Sequence, residues 1–539
     1  MSLSYACGTS TIPLTAATIG HDLQRTASLY PDNDAVIARH QGISWDYREF
    51  NARVNALAEQ LITAGLEHGD RVGIWSPNCA EWPLVQYATA KAGLILVNIN
   101  PAYRSSELGY ALRQSGCRWL FAAPEFKGSS FKETVAEISA ELPQLERAVY
   151  FGSKEWLLVA EGAPASAPSA VLSARMEMLD CDDPINIQYT SGTTGFPKGA
   201  TLTHHNILNN ARLLGEILAY GPTDRICAPV PLYHCFGMVM CNLAASHYGA
   251  CMVYPSEAFE PLAVLEAVQA ERCTSLYGVP TMFIAELGHP RFSEYDLSSL
   301  RTGIMAGSTC PVEVMKRVVS EMGIAEMTIA FGMTETSPVT MMVRTGDTLE
   351  HSTETVGQVM SHTEVKIIDP VSGRTLPRGQ AGEFLARGYP VMRGYWNDPE
   401  RTAETIDAGR WLHTGDLAVM DDEGYVRIVG RAKDMIIRGG ENIYPREIEE
   451  FLYSHKEILD VQVIGVPDER YGEQLMAWIV PHPGSELSEQ AIRDFCEGRI
   501  AHFKVPRYIK FVDEFPMTVT GKIQKYKMRE LAVGELGLG

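Results

Sequence analysis

The chain has 539 residues, too many for one hydrophobic core, so two or more domains are expected. Its formal charge of −20 argues against nucleic-acid and anionic-membrane partners, and its 45% apolar content is that of an ordinary globular protein. No apolar run approaches bilayer length, and the residues before Arg25 read as neither a secretory leader nor an Arg-rich transit peptide.

Residues 1–24 carry little charge and are expected to wrap the surface. In 43–65, Val54, Leu57, Leu61 and Ile62 recur at helical spacing. Residues 71–75 read as a strand, 81–92 as a helix and 94–98 as a buried strand, an alternation that predicts a parallel sheet with crossover helices. The Ala-, Ser-, Pro- and Gly-rich stretch 152–178 reads as an irregular excursion. Residues 184–189 read as a buried strand, and 200–214 as a turn followed by a helix. A second alternating half follows, with strands at 226–230, 251–254, 275–277 and 302–307. Its helices are expected at 238–248, 261–270, 281–287 and 312–321. Over 355–429 the pattern changes to short strands with turn signals (364–368, 382–386, 418–420, 425–428), which predicts a small β-subdomain or barrel. A fresh unit after Gly430 has helices at 446–454 and 488–498 and strands at 461–466, 474–480 and 508–512. These readings divide the chain into 1–430, a boundary at 431–434, and 435–539.

The most informative stretch is 189–199, Tyr-Thr-Ser-Gly-Thr-Thr-Gly-Phe-Pro-Lys-Gly. It holds the hydroxyls of Thr190, Ser191, Thr193 and Thr194, the glycines Gly192, Gly195 and Gly199, and the cation Lys198. A Gly-rich loop leaving a strand can turn backbone N–H groups toward an anion, and hydroxyls and a lysine add donors that suit phosphate oxygens. The spacing differs from a Walker A loop. Eleven cysteines are scattered without C-x-x-C or zinc spacing, which predicts reduced thiols, and the want of a span or leader pattern makes a cytoplasmic location the expectation. Residues 499–529 hold eight Lys or Arg against Asp513 and Glu514, a local excess that suits a polyanionic small ligand.

The loop resembles the signature of the adenylate-forming enzymes: acyl-CoA synthetases, luciferases and peptide-synthetase adenylation domains. The likeness continues, in the family's order, through Ala330-Phe-Gly-Met-Thr-Glu-Thr336, Trp411-Leu-His-Thr-Gly-Asp416, the block from Gly430 to Pro445, and 516–525. The resemblance implies an α/β protein: a large N-terminal domain of stacked α/β subdomains with a small β-barrel-like subdomain, and a small mobile α+β C-terminal lid. It also implies ATP, Mg²⁺ and coenzyme A as cofactor and co-substrates, a carboxylic acid as substrate, and room for a homodimer. On the matching positions, Ser191, Gly192, Thr193, Thr194, Gly195 and Lys198 would grip the triphosphate, and Thr190 and Glu335 would face the metal. Gly307, Ser308, Thr309, Phe331, Gly332 and Met333 would flank the adenine, and Thr334 would donate to the α-phosphate. Asp416 and Arg431 would hold the ribose. Lys522 would be the catalytic lysine of the lid, and Lys433 the hinge. His234 would lie beside the acyl carboxylate, with Tyr233, Met238, Tyr277, Gly278 and Gly332 as acyl walls. Gly439 and Gly440 would leave room for the pantetheine arm.

No acid occurs between Arg225 and Glu257. Adenylating domains for amino acids carry an aspartate in the segment matching Tyr233–Phe236, and an unpaired ammonium is costly to bury. The acid is therefore expected to lack an amino group. Pro184-Ile-Asn-Ile-Gln, Tyr-His-Cys-Phe-Gly and Arg438-Gly-Gly-Glu-Asn-Ile-Tyr-Pro are most similar to medium-chain fatty acyl-CoA synthetases. The expected activity is acid–CoA ligation. The alternatives are a luciferase-like oxygenase and a catalytically silent nucleotide-binding regulator.

Overall fold

Apolar strands followed by one-faced helices give this chain its layers. The structure, a computed structural model, describes residues 2–160, 167–190, 197–308, 310–431, 433–438, 441–497, 499–517 and 523–538. Among the described residues a nine-stranded sheet has a parallel centre running through Glu326–Gly332, Thr302–Ala306, Ser275–Gly278, Arg225–Cys227, Cys251–Tyr254 and Asp34–Ala38. A seven-stranded sheet runs through Gly394–Tyr395, Lys198–Thr203, Pro184–Thr190, Ile95–Ile99, Arg71–Trp75, Cys117–Ala122 and Arg147–Tyr150. Between the sheets lies the largest apolar cluster, which takes in Leu57, Trp82, Tyr87, Ile207, Leu214, Leu243 and Tyr254.

Three expectations need correction. Residues 198–203 form a strand antiparallel to Pro184–Thr190, with Thr190 opposite Lys198 as the last rung. The helix starts only at His204, where the Thr203 side chain accepts from the Asn206 N–H and the Asn206 side chain accepts from the Thr203 N–H, a reciprocal cap that fixes the boundary. The stretch 152–178 is not wholly irregular: Lys154–Ala160 and Ala170–Glu177 are helices that bury Trp156, Val159, Leu172 and Met176, and Ser169 caps the second. The segment expected as a helix over 238–248 is a π-helix over Phe236–Leu243 that passes into an α-helix over Ala244–Tyr248.

The expected β-subdomain is an open five-stranded antiparallel sheet in the order Tyr5–Cys7, Thr363–Ile368, Gly382–Gly388, Leu412–Met420 and Val426–Arg431. Its first strand comes from the N-terminal stretch expected only to wrap the surface. The C-terminal part has its own apolar cores. One is built on Ile436, Ile448, Leu452, Val461, Val463, Leu475 and Ile479, and the other on Trp478, Phe515 and Met528. Its sheet joins Glu441–Ile443, Ile436–Arg438, Gly472–Pro481, Ile458–Asp468 and Tyr508–Phe511. Among the described residues, no helix is long and apolar enough to cross a membrane.

Candidate active site

Parallel register fixes one wall. Gly278 is opposite Met305 and Ala306 is opposite Ala330, so Gly278, Gly307 and Phe331 leave the sheet side by side at the carboxyl ends of their strands. Ligands of open α/β sheets bind at that edge. Gly307 has φ +89°, in the region that favours glycine. Phe331 meets Phe384 edge-on at 5.4 Å, which ties the nine-stranded sheet to the small antiparallel sheet. Beyond it, Thr414 Oγ1 donates to the Phe384 carbonyl (2.6 Å) and accepts from the Asp416 N–H (3.1 Å). Asp416 pairs with Arg431 across the strands, and Arg431 Nε lies 3.0 Å from Asp416 Oδ1. The two residues expected to hold a ribose therefore stand at one rung.

The second wall is the hairpin that opens the glycine-rich loop. Thr334 begins the 3₁₀ turn Thr334–Thr336, whose N-cap position is Met333, so Thr334 is not itself the capping residue. The turn places Glu335, 5% exposed, against the hairpin of the other sheet. Glu335 Oε1 accepts from Tyr395 Oη at 2.9 Å and from Thr190 Oγ1 at 3.3 Å, and its carbonyl accepts from the Met392 N–H at 2.9 Å. The Lys198 ammonium lies over the Tyr395 ring, 5.0 Å from its centre. Burial first, then the Glu335 carboxylate, pushes the Tyr395 phenol well above its ordinary range, so it stays a donor. Thr190, Lys198 and Glu335 are thus brought together. Ser191, Gly192, Thr193, Thr194, Gly195, Thr309, Gly439, Gly440 and Lys522 lie outside the described residues.

His234 sits on the segment between the strand Arg225–Cys227 and the π-helix. Its carbonyl accepts from the Gly237 N–H (3.0 Å) and the Met238 N–H (2.9 Å), and its ring stands 4.8 Å from that of Tyr233. Asn98 Nδ2 donates to the Tyr233 carbonyl at 3.0 Å and anchors this segment on the seven-stranded sheet. Phe236 stacks on Tyr277 at 5.6 Å, and Tyr277 Oη donates to the Met240 carbonyl at 3.0 Å.

Two features bear on the expected acyl walls. Met238 is only 1% exposed, and its sulfur accepts from Asn98 Nδ2 at 3.2 Å and Gln188 Nε2 at 3.1 Å. That side chain joins a buried amide network. The glycines of this region lie against neighbouring chain. A Cβ would fall 2.5 Å from the Pro231 oxygen at Gly237, 2.8 Å from Phe283 at Gly278 and 1.7 Å from the Pro338 oxygen at Gly332. Their missing side chains permit close chain approach.

Sequence reasoning missed Tyr395. The only signal was an aromatic pair, Tyr395-Trp396, directly after Gly394. It also missed a contact between the C-terminal part and the strand Val426–Arg431. Arg446 Nη1 donates to the Ile428 carbonyl at 2.8 Å, and Arg446 Nε lies 3.6 Å from Glu450 Oε1 on its own helix. Lys433 is exposed on a turn in which the Asp434 and Met435 N–H groups both reach the Arg431 carbonyl, each at 3.0 Å.

Such a site, a carboxylate and a cation at the root of a glycine-rich hairpin with a carboxylate–guanidinium pair on the facing sheet, is that of a nucleotide-binding α/β protein with a separate C-terminal unit. The chain belongs to the AMP-binding enzyme family: the family's profile matches residues 23–396, and that of the AMP-binding enzyme C-terminal domain matches 447–522. It is 48% identical over 535 residues to YngI of Bacillus subtilis (strain 168), covering 96% of this chain and 97% of that one. It is 46% identical over 557 residues to the mitochondrial medium-chain acyl-CoA ligase ACSF2 of Danio rerio, covering 100% and 92%. Among solved structures it is similar to the anthranilate CoA ligase AuaEII in complex with anthranoyl-AMP, with a TM-score of 0.87, 29% identity, and 97% and 98% coverage. ATP-bound MatB from Rhodopseudomonas palustris gives a TM-score of 0.85 at 28% identity, with 95% and 98% coverage.

Proposed function

We propose that this chain is an AMP-forming acid–CoA ligase whose acid is a medium-chain fatty acid. The observation that carries the reading is the meeting of Glu335, Thr190 and Lys198 at the loop root, opposite the Asp416–Arg431 pair. In the first half-reaction a carboxylate oxygen attacks the α-phosphorus of ATP. The bond to the β-phosphate breaks, and pyrophosphate leaves with the electron pair. In the second, the CoA thiol, losing its proton, attacks the acyl carbon, and AMP leaves with the electron pair of the acyl–oxygen bond.

This chain's residues hold and orient the reactants. Lys198 and the loop hydroxyls bind phosphate oxygens, Thr334 donates to the α-phosphate, and Asp416 with Arg431 takes the ribose hydroxyls. Phe331, with Gly307 and Ser308, borders the adenine. Lys522 supplies positive charge where the carboxylate meets the α-phosphate, and His234 lies beside the acyl carboxylate. The oxygen donors at Glu335 and Thr190 fit a hard cation, and magnesium held there would offset triphosphate charge. The acyl side is apolar, with Phe236, Tyr277, Met240 and Met305 and no acid between Arg225 and Glu257. The likeness to relatives named medium-chain acyl-CoA ligases supports the same substrate class. Eleven free thiols suit a reducing compartment, cytoplasmic in this reading.

The test is acid-dependent ATP–pyrophosphate exchange, followed by thioester formation, over a series of straight-chain acids. A buried CH₂ is worth about 0.8 kcal/mol, roughly fourfold per carbon, so kcat/KM should rise from short acids and peak at medium length. A flat profile, or highest activity with an aromatic or amino acid, would overturn the substrate assignment. Absence of exchange with every acid would overturn the ligase.

A further inference from the structure

The Glu335 carboxylate is asymmetric. Both hydroxyl donors, Tyr395 Oη at 2.9 Å and Thr190 Oγ1 at 3.3 Å, converge on Oε1, and among the described residues no donor reaches Oε2. Two hydrogen bonds on one oxygen fix the plane of the carboxylate and leave the other oxygen as its free acceptor. The same tyrosine carries the Lys198 ammonium over its ring at 5.0 Å. One side chain therefore touches both the carboxylate and the cation at the root of the loop.

Tyr395 is itself held firmly. Its strand Gly394–Tyr395 pairs with Lys198–Thr203, with Tyr395 opposite Ala200. The Trp396 N–H reaches the Gly199 carbonyl at 2.7 Å, the Arg393 N–H reaches the Thr201 carbonyl at 3.0 Å, and the Tyr395 N–H reaches Thr402 Oγ1 at 2.9 Å. Gly394 has φ +153°, and a Cβ there would lie 2.8 Å from Thr402 Cγ2, so this stitch closes only on glycine. Tyr395 is 7% exposed.

We propose that Tyr395 is a positioning residue for adenylation: its hydroxyl aims Glu335 Oε2 at the divalent cation of the nucleotide, and its ring seats Lys198 at the phosphates. The proposal rests on the ligase reading for its reaction. Its geometry concerns only nucleotide and cation.

Tyr395→Phe removes the hydroxyl and keeps the ring, and Tyr395→Leu removes both. The primary readout is binding of Mn²⁺ to protein saturated with α,β-methylene-ATP, measured by titration calorimetry. Losing one hydrogen bond to a charged oxygen should raise the Mn²⁺ Kd of Tyr395→Phe about tenfold. The Mg²⁺ concentration for half-maximal pyrophosphate exchange should rise in parallel. KM for the acid and the reaction of supplied acyl-AMP with CoA should stay at wild-type values. Tyr395→Leu should in addition raise the Kd for the nucleotide analogue measured without metal, because Lys198 loses its seat.

Unchanged Mn²⁺ affinity in a folded Tyr395→Phe protein would overturn the proposal. So would equal loss of both half-reactions with unchanged Mn²⁺ affinity, which would mark a purely structural tyrosine. A wild-type protein that binds no Mn²⁺ with the analogue would overturn it as well. If the wild type shows no acid-dependent exchange but the Mn²⁺ affinities differ as expected, the ligase reading fails while Tyr395 keeps its role.

Discussion

Glu286 is a buried carboxyl group of the large domain that is costly to hold. It is 1% exposed, and neither carboxylate oxygen has a hydrogen-bond partner among the described residues. Burial raises its pKa well above the usual carboxylate range, so the folded protein holds it as the neutral acid. The unfolded chain releases that proton near the ordinary carboxylate pKa. Between the two values the unfolded state binds fewer protons, so stability falls as pH rises. Glu286→Met replaces the acid with an apolar group of similar length. We expect it to stabilise the protein by about 1–3 kcal/mol, more at pH 8 than at pH 5. Thermal melts of both proteins across that range check this, and an equal or lower melting temperature at pH 8 would refute it. Glu335 and Asp416 could be picked out from the sequence because their blocks carry a recognisable order. Tyr395 could not, because nothing in one sequence says which buried phenol will face a carboxylate on another sheet.

Among elements, the π-helix Phe236–Leu243 follows directly on His234 and carries Phe236 onto Tyr277. Over two turns an apolar run looks the same whether its bonds run i→i+4 or i→i+5, so the sequence reads simply as helix. The strand Lys198–Thr203 was hidden for a related reason: its six residues run straight into a capped helix. Where spacing was long and regular, as in Tyr47–Thr63 or Val312–Glu321, reading and structure agree closely. Since the Met238 sulfur already serves two amides, Met238→Trp would overpack a dry core. It should cost about 1–3 kcal/mol, and Met238→Leu about 1 kcal/mol through the lost acceptor. The Met238→Leu chain-length profile should match the wild type. A shifted optimum in that variant would return Met238 to the acyl wall.

At the scale of the molecule, one contact of the C-terminal unit with the large domain, among the described residues, is Arg446 Nη1 donating to the Ile428 carbonyl at 2.8 Å. Glu450, one turn along the same helix Pro445–Tyr453, lies 3.6 Å from the Arg446 guanidinium and steadies that arm. A reaction in two halves needs different groups at one centre, which a rotating lid can supply. No acceptor among the described residues takes the Lys433 N–H, so Lys433→Pro removes no bond in this arrangement while locking φ near −65°. We expect near-normal pyrophosphate exchange with thioester formation lost. Wild-type thioester synthesis in that variant would rule out a hinge at this residue.

The small antiparallel sheet also sets a timetable. Its edge strand Tyr5–Cys7 pairs with Thr363–Ile368, and Tyr5 Oη donates to Glu364 Oε2 at 2.7 Å across 359 residues of chain. The ribosome delivers one partner long before the other. At about 5–20 residues per second the first strand waits roughly 20–70 s for its neighbour. During synthesis, then, the chain's earliest residues are among the last to find their place, and the wall that carries Asp416 and Arg431 is completed only after the strands of both larger sheets have emerged.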